Sequence, residues 1–265
     1  IIFQDFGKYA FKLNENITIT STQPAKFEVP VNVTLDLNGK TLDLSAIAHP
    51  IRFIPGSGGS SFEVVTSIAG GSVTGGSTSM FYPDVNYGTV NIKMGSADTE
   101  DIAFTGKYLV YGSTRFRSGA TLNLDIVGGE HNISSGVIFV SNSSTSTTMN
   151  TYKLNFTDSV FNFSGSSSCI VRRNADGYKA TASSYINANG CTFKDTYKSD
   201  NSKIKVIASN FASYDFLRAI IGNNENVELI NEDFFDKNYD ISMLNPNEVF
   251  SSQFAAIFKL YILKK

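Results

Sequence analysis

The decapeptide VTLDLNGKTL, residues 33–42, alternates apolar and polar side chains and then turns sharply at Asn38-Gly39. Val33, Leu35 and Leu37 fall on one face of a strand, with Thr34, Asp36 and Asn38 on the other. The Asn-Gly pair tolerates positive φ, and Leu42 re-enters an apolar environment. Alone this is a half-buried strand and a turn. Its recurrence is what constrains the fold.

With Leu42 as an anchor, the unit is an apolar residue preceded at −3 by a small or turn-forming residue and at −5 and −7 by apolar ones. VELINEDF (anchor Phe234), IKVIASNF (Phe211), LNFTDSVF (Phe161) and INANGCTF (Phe193) fit it. LDIVGGEH fits with His131 as anchor, TSIAGGSV is a weaker copy ending at Val73, and VNIKM at 90–94 alternates but ends poorly. With the poor copy set near 99, successive anchors are 31, 26, 32, 30, 32, 18 and 23 residues apart. Repeats of this length, each with a short strand and a turn, are the signature of a solenoid, in which stacked coils share one continuous core. Uneven steps fit as well, because insertions loop outward without breaking the stack. A second strand follows most anchors: IRFI at 51, MFY at 80, YLVY at 108, GVIFV at 136, CIVRR at 169 and LRAII at 217. The expectation is two strands per coil, with equivalent strands parallel.

Composition agrees. Of the 265 residues 42% are hydrophobic, enough for a large core, while 17% are charged and the net charge is −2, without the basic surplus that nucleic-acid binding requires. Polar turn formers abound, and Trp is absent. The first residue is Ile1, which reads as a mature chain or an excised fragment. No apolar run reaches the roughly 18 residues of a membrane span. The closest, FAAIFKLYILKK at 254–265, carries Lys259 and reads as a terminal strand or helix closing the core, or as the start of a truncated anchor.

The VTLDLNGKTL unit and the INANGCTF type of repeat resemble right-handed parallel β-helix proteins of the pectin-lyase-like superfamily, over roughly residues 10 to 240. The resemblance implies an all-β, right-handed parallel β-helix (a β-solenoid) with terminal caps. Residues 1–240 form the helix with its N-terminal cap, and 241–265 a C-terminal cap or tail. It implies little about activity, because that superfamily spans lyases, hydrolases, phage tailspikes and adhesins. Ile1–Leu13 and Val249–Leu263 are apolar enough to cover the coil ends, which points to a monomer.

Outward positions of the repeated strand form two columns. At −6 from each anchor stand Asp36, Ser67, Lys93, Asp125, Asn155, Asn187, Lys205 and Glu228, and at −8 Thr34, Val65, Asn91, Asn123, Lys153, Tyr185, Lys203 and Asn226. A calcium-dependent lyase needs several adjacent acids and an Arg or Lys base, and a polygalacturonase-like hydrolase needs neighbouring aspartates. These columns hold isolated acids and no Arg. Were the protein an enzyme, Asp125, Lys153 and Tyr185 on consecutive coils would be its catalytic set. Lys153 would be the base if desolvated and Tyr185 the proton donor, beside Asn123 or Asn155 on the sugar. The plainer reading is a solvated sheet face. Arg172-Arg173, the only Arg pair, offers bidentate contact to a sugar carboxylate, or a solvated pair beside Asp176. Ligand contact therefore falls on Asn123, Asn155, Arg172 and Arg173. No metal site follows from two histidines 82 positions apart and two cysteines, and no cofactor is implied. His131, standing where other repeats carry Phe, Leu or Val, reads as a core or half-buried histidine. Six Asn-x-Ser/Thr sequons match chance in so polar a chain.

The expected function is a non-catalytic extracellular or cell-surface β-helix protein for adhesion or carbohydrate contact, its partner a polysaccharide or cell-surface glycan. The alternatives are a polysaccharide lyase or glycoside hydrolase, and a viral or phage fibre component.

Overall fold

The computed structural model describes residues 2–3, 8–29, 31–55, 63–96, 102–113, 116, 119–140, 150–165, 168–173, 182–189, 191–195, 207–208 and 258–259. Seventeen strands, numbered along the chain, join in parallel into one continuous sheet wound into a solenoid, with no helix among the described residues. Each coil has three faces, where the sequence suggested two strands. The first face stacks β1 (Ile2–Phe3), β4 (Ala25–Val29), β6 (Ile51–Pro55), β8 (Ser79–Pro83), the second halves of β10 (Ala103–Tyr111) and β12 (Glu130–Val140), and β15 (Cys169–Arg173). The second stacks β2 (Lys8–Lys12), the first halves of β5 (Asn32–Asp43) and β7 (Glu63–Thr74), β9 (Thr89–Met94), β11 (Thr121–Val127), β13 (Asn150–Thr157) and β16 (Ala182–Asn189). The third holds β3 (Ile17–Thr18), the second halves of β5 and β7, the first halves of β10 and β12, β14 (Val160–Phe163) and β17 (Thr192–Asp195).

The extra face has a simple origin. The anchor follows its strand across a tight corner, so β5 and β7 each supply two faces and read in sequence as one strand with a tail. The corner explains the residue at −3. Gly39, Gly70, Gly128 and Asp158 have φ of 71°, 76°, 70° and 48°, the left-handed region that turns the chain between faces. At the first of these corners the carboxylate of Asp36 accepts from the N–H of Asn38 (2.8 Å), and the Asn38 amide donates to the carbonyl of Leu13 one coil away (3.0 Å). At Asp158 the buried Ser159 hydroxyl lies 2.8 Å from the carbonyl of Thr157 and 2.9 Å from that of Gly128, tying two corners together.

The anchors form one column, pairing in the order Ile17, Leu42, Val73, Phe104, His131, Phe161 and Phe193. The poor copy expected near 99 ends at Phe104, because its corner glycine, Gly95, is followed by extra residues before the third face resumes. Leu42, Val73, Phe104, His131 and Phe161 are all buried, His131 among them with Nε2 3.0 Å from the carbonyl of Gly128. Beside them, Leu122, Leu124 and Ile126 of β11 stack between Val90, Ile92 and Met94 of β9 and Tyr152, Leu154 and Phe156 of β13, all inside. Each such side chain contributes about 1.5–3 kcal/mol on burial. This shared interior is what no single coil could build.

Segments 122–126, 152–156 and 184–188 pair in parallel as the repeat predicts. The expected continuation through 203–207 differs at Ile207, the one described residue of that segment. Ile207–Ala208 (β18) pairs antiparallel with Phe258–Lys259 (β19) in a separate small sheet. The step of 18 residues from Phe193 to Phe211 is too short for three strands and their corners. The segment 226–230 and the anchors Phe211 and Phe234 lie outside the described residues. At the other end, Lys8–Lys12 pairs in parallel with β5 on the second face, and Phe11 is 40% exposed.

Cys169 pairs with Gly136 on the first face, whereas the buried Cys191 precedes the third-face strand β17. Thiol titration of the denatured, unreduced protein is expected to count two free groups. A count of zero would mean that this separation of the cysteines is wrong.

Candidate functional site

Two outer surfaces of the solenoid carry polar or aromatic columns. On the second face, strand pairing aligns Val65, Asn91, Asn123, Lys153 and Tyr185, and beside them Ser67, Lys93, Asp125, Asn155 and Asn187. These are the predicted columns from the third coil to Tyr185 and Asn187; Lys203, Lys205, Asn226 and Glu228 lie outside the described residues. In the second coil the true members are Asn32 and Thr34 in place of Thr34 and Asp36, since Asn32 pairs with Val65 and Thr34 with Ser67. The cause is the Asn-Gly corner: Asp36 to Lys40 on β5 spans four residues where Ala69 to Gly71 on β7 spans two. A two-residue slip preserves the side that a residue faces, so the surface stays polar.

Asn123, Asp125, Lys153 and Asn155 are therefore brought together, with Tyr185 next in register. The amide of Asn123 donates to the Asn91 side-chain oxygen at 2.6 Å, and that of Asn155 donates to Asp125 Oδ1 at 2.7 Å. The amides link up the columns as ladders, each keeping further hydrogen-bonding capacity for solvent or a ligand. A third column of Thr89, Thr121, Thr151 and Ser183 runs alongside. Lys153 is exposed, and a lysine base needs a desolvated amine. What the arrangement offers is a flat array of hydrogen-bonding groups repeating about every 4.8 Å along the axis.

Arg172 and Arg173 belong to the first face, away from Asn123 and Asn155. Arg172 pairs with Phe139 and Arg173 with Val140. The column that runs to Arg172 among the described residues has no counterpart in the sequence reading. Lys26 pairs with Arg52, Arg52 with Tyr82, and Tyr111 with Phe139, while Val110 opposite Phe81 sets Tyr111 above Tyr82. The rings of Tyr111 and Phe139 stack with centroids 4.2 Å apart, and those of Tyr82 and Tyr111 at 6.2 Å. The Arg52 guanidinium lies 5.0 Å from the Tyr82 ring centre, a cation–π distance. It also donates through Nη2 to Asp84 (2.8 Å), whose other oxygen accepts from the Ser113 hydroxyl (2.8 Å). His49 packs on both tyrosines, at 4.3 Å from Tyr82 and 5.4 Å from Tyr111.

The strands IRFI, MFY, YLVY, GVIFV and CIVRR held this column in plain view. What was missing was a corner motif to set their register, because turns of unequal length precede them.

Electrostatics here follow from burial. Ser79 Oγ donates to the carbonyl of Phe81 (3.1 Å), so at 2.8 Å it accepts from His49 Nδ1–H and leaves Nε2 as the basic nitrogen. Desolvation first, and the nearby Arg52 charge second, push the His49 pKa below its ordinary value. Desolvation, with Tyr108 and Tyr82 adding to it, raises the Tyr111 phenol above its own. Because the folded state disfavours the imidazolium, the unfolded chain binds the proton first. This contribution to stability is complete above the free histidine value of 6.5 and is lost as pH falls below it through the folded pKa. A His49→Gln variant is therefore expected to lose less stability than the parent between about pH 7.5 and pH 5. Equal losses in denaturant melts would remove His49 from the account.

Comparisons with protein-family models, with curated proteins and with solved structures found no match.

Proposed function

We propose that this chain is a non-catalytic, extracellular or cell-surface β-solenoid that makes contact with carbohydrate, a wall or surface glycan, through its second face. The observation that carries the reading is the flat polar array around Asn91, Asn123, Asp125, Lys153 and Asn155, whose amides are cross-linked and so presented at fixed spacing. A preorganised row of donors and acceptors loses little freedom on binding a sugar chain. The exposed position of Lys153 favours contact over chemistry. Kinship with the pectin-lyase-like superfamily is part of this proposal, supported by the parallel stacking and the corner motif.

Glycan-array binding by the intact chain tests it. Binding to at least one polysaccharide is expected, without product formation, and is expected to weaken about tenfold in an Asn123→Ala/Asn155→Ala double variant. Failure to bind any glycan would sink the reading, and so would release of unsaturated or reducing sugar ends.

A further inference from the structure

We propose that Tyr82 and Tyr111, on adjacent coils of the first face, are the site of an oxidative modification: a carbon–carbon dityrosine bond that staples the two coils when a haem peroxidase acts on the chain with hydrogen peroxide. The inference does not rest on the glycan reading, because it concerns another face and a covalent reaction of the chain's own side chains.

Three observations carry it. First, the two phenol rings already lie together. Val110 opposite Phe81 sets Tyr111 above Tyr82, and the ring planes are 20° apart with centroids at 6.2 Å. Strand pairing fixes that register, so coupling is an intramolecular event between prepositioned partners. Second, both rings are clamped. Tyr82 stands between Arg52 and Tyr111 in the column, with the guanidinium 5.0 Å from its ring centre. Tyr111 stacks at 4.2 Å on Phe139 of the next rung, and His49 packs on both tyrosines, at 4.3 Å from Tyr82 and 5.4 Å from Tyr111. Third, both rings are half-buried, so each keeps an edge open to an oxidant. Tyr108 is the rival partner: its ring also approaches Tyr111, at 5.7 Å, but it stands at 79° to it and Tyr108 is only 5% exposed. Access and ring alignment together select Tyr82.

The step balances with peroxide as the oxidant. Each phenol, neutral at ordinary pH, gives up one electron and its hydroxyl proton, and the paired electrons and protons reduce one peroxide to two waters at the haem. The two phenoxyl radicals join at the carbons ortho to oxygen, and the ring protons displaced from those carbons return to the oxygens. The product is a biphenol lacking two hydrogens of the starting pair.

The intact chain, kept dilute and treated with a haem peroxidase and hydrogen peroxide, is expected to gain the blue fluorescence of dityrosine while keeping the size of one chain. Its mass is expected to fall by that of two hydrogens, and proteolysis to release one joined peptide containing Tyr82 and Tyr111. Tyr82→Phe and Tyr111→Phe keep the ring and its packing but lack the phenol. Each is expected to cut the fluorescence at least about fivefold with circular dichroism unchanged, whereas Tyr87→Phe leaves it at the parent level. A staple between neighbouring coils restrains the unfolded chain and the opening of that interface. The oxidised parent is therefore expected to unfold at a higher denaturant midpoint than the untreated one, a gain absent in both phenylalanine variants. Treated parent without dityrosine would overturn the proposal, and so would covalent dimers as the sole product. Fluorescence that survives either Tyr82→Phe or Tyr111→Phe would also overturn it, by assigning the bond to another pair.

Discussion

Phe161→Ala is expected to destabilise the protein by about 3–5 kcal/mol, the cost of deleting a large side chain from a packed interior. Phe161 is fully buried in the anchor column, with ring centroids 4.8 Å from Phe156, 5.2 Å from His131 and 6.5 Å from Phe163. Its rung pairs with His131 on one side and Phe193 on the other, so the cavity would open between coils. Coils of a solenoid support only their neighbours, and loss of one interface is therefore expected to broaden the denaturant transition as well as move its midpoint. Lys153→Ala, exposed on the second face, is expected to change stability by no more than about 0.5 kcal/mol. Chemical melts of the two variants check this. Similar losses in both would mean that the anchor column is not the core.

A comparable loss, at least about 3 kcal/mol, is expected from Gly129→Ala. Gly129 has φ of +81°, and a β-carbon there would collide with the backbone carbonyl oxygen of Ile102 in the adjoining coil. Conformation and contact both exclude a side chain, and backbone cannot yield as a flexible side chain would. Gly70 provides the contrast. Its φ is +76°, yet a β-carbon would meet nothing closer than Asp36 Oδ1 at 3.6 Å, an ordinary contact. Asn38 and Asp158 already occupy left-handed positions of this kind. Gly70→Asn is accordingly expected to cost about 1 kcal/mol or less. Circular dichroism melts that rank the two substitutions the other way would refute the corner geometry.

The solenoid itself was legible in the amino-acid sequence because its causes are local. Alternation at −5 and −7 sets which side chains enter the interior, and a residue suited to positive φ at −3 sets where the chain turns. The anchors Leu42, Val73, His131, Phe161 and Phe193 share a column for those two reasons. Even the position of His131 in the core follows from its place in the repeat. Asn123, Asp125, Lys153 and Asn155 could be aligned because they lie within one strand's length of a corner, so no irregular turn intervenes. The same logic failed by two residues at Thr34 and Asp36, where the Asn-Gly corner is longer than the Gly70-Gly71 one. It failed by more at Phe104, beyond the extra residues after Gly95.

The tertiary structure alone decided that each coil has three faces, and which residues meet on the first. Lys26, Arg52, Tyr82, Tyr111, Phe139 and Arg172 are 26 to 33 residues apart with no shared motif around them. Their alignment depends on connections of unequal length, whose register is fixed only when the interior residues Phe27, Phe53, Phe81, Val110 and Ile138 pack against other coils. Local pattern determines that a strand forms and which way its side chains point. Where that strand stops sliding along its neighbour is settled by packing across the core, and a surface column exists only after that choice.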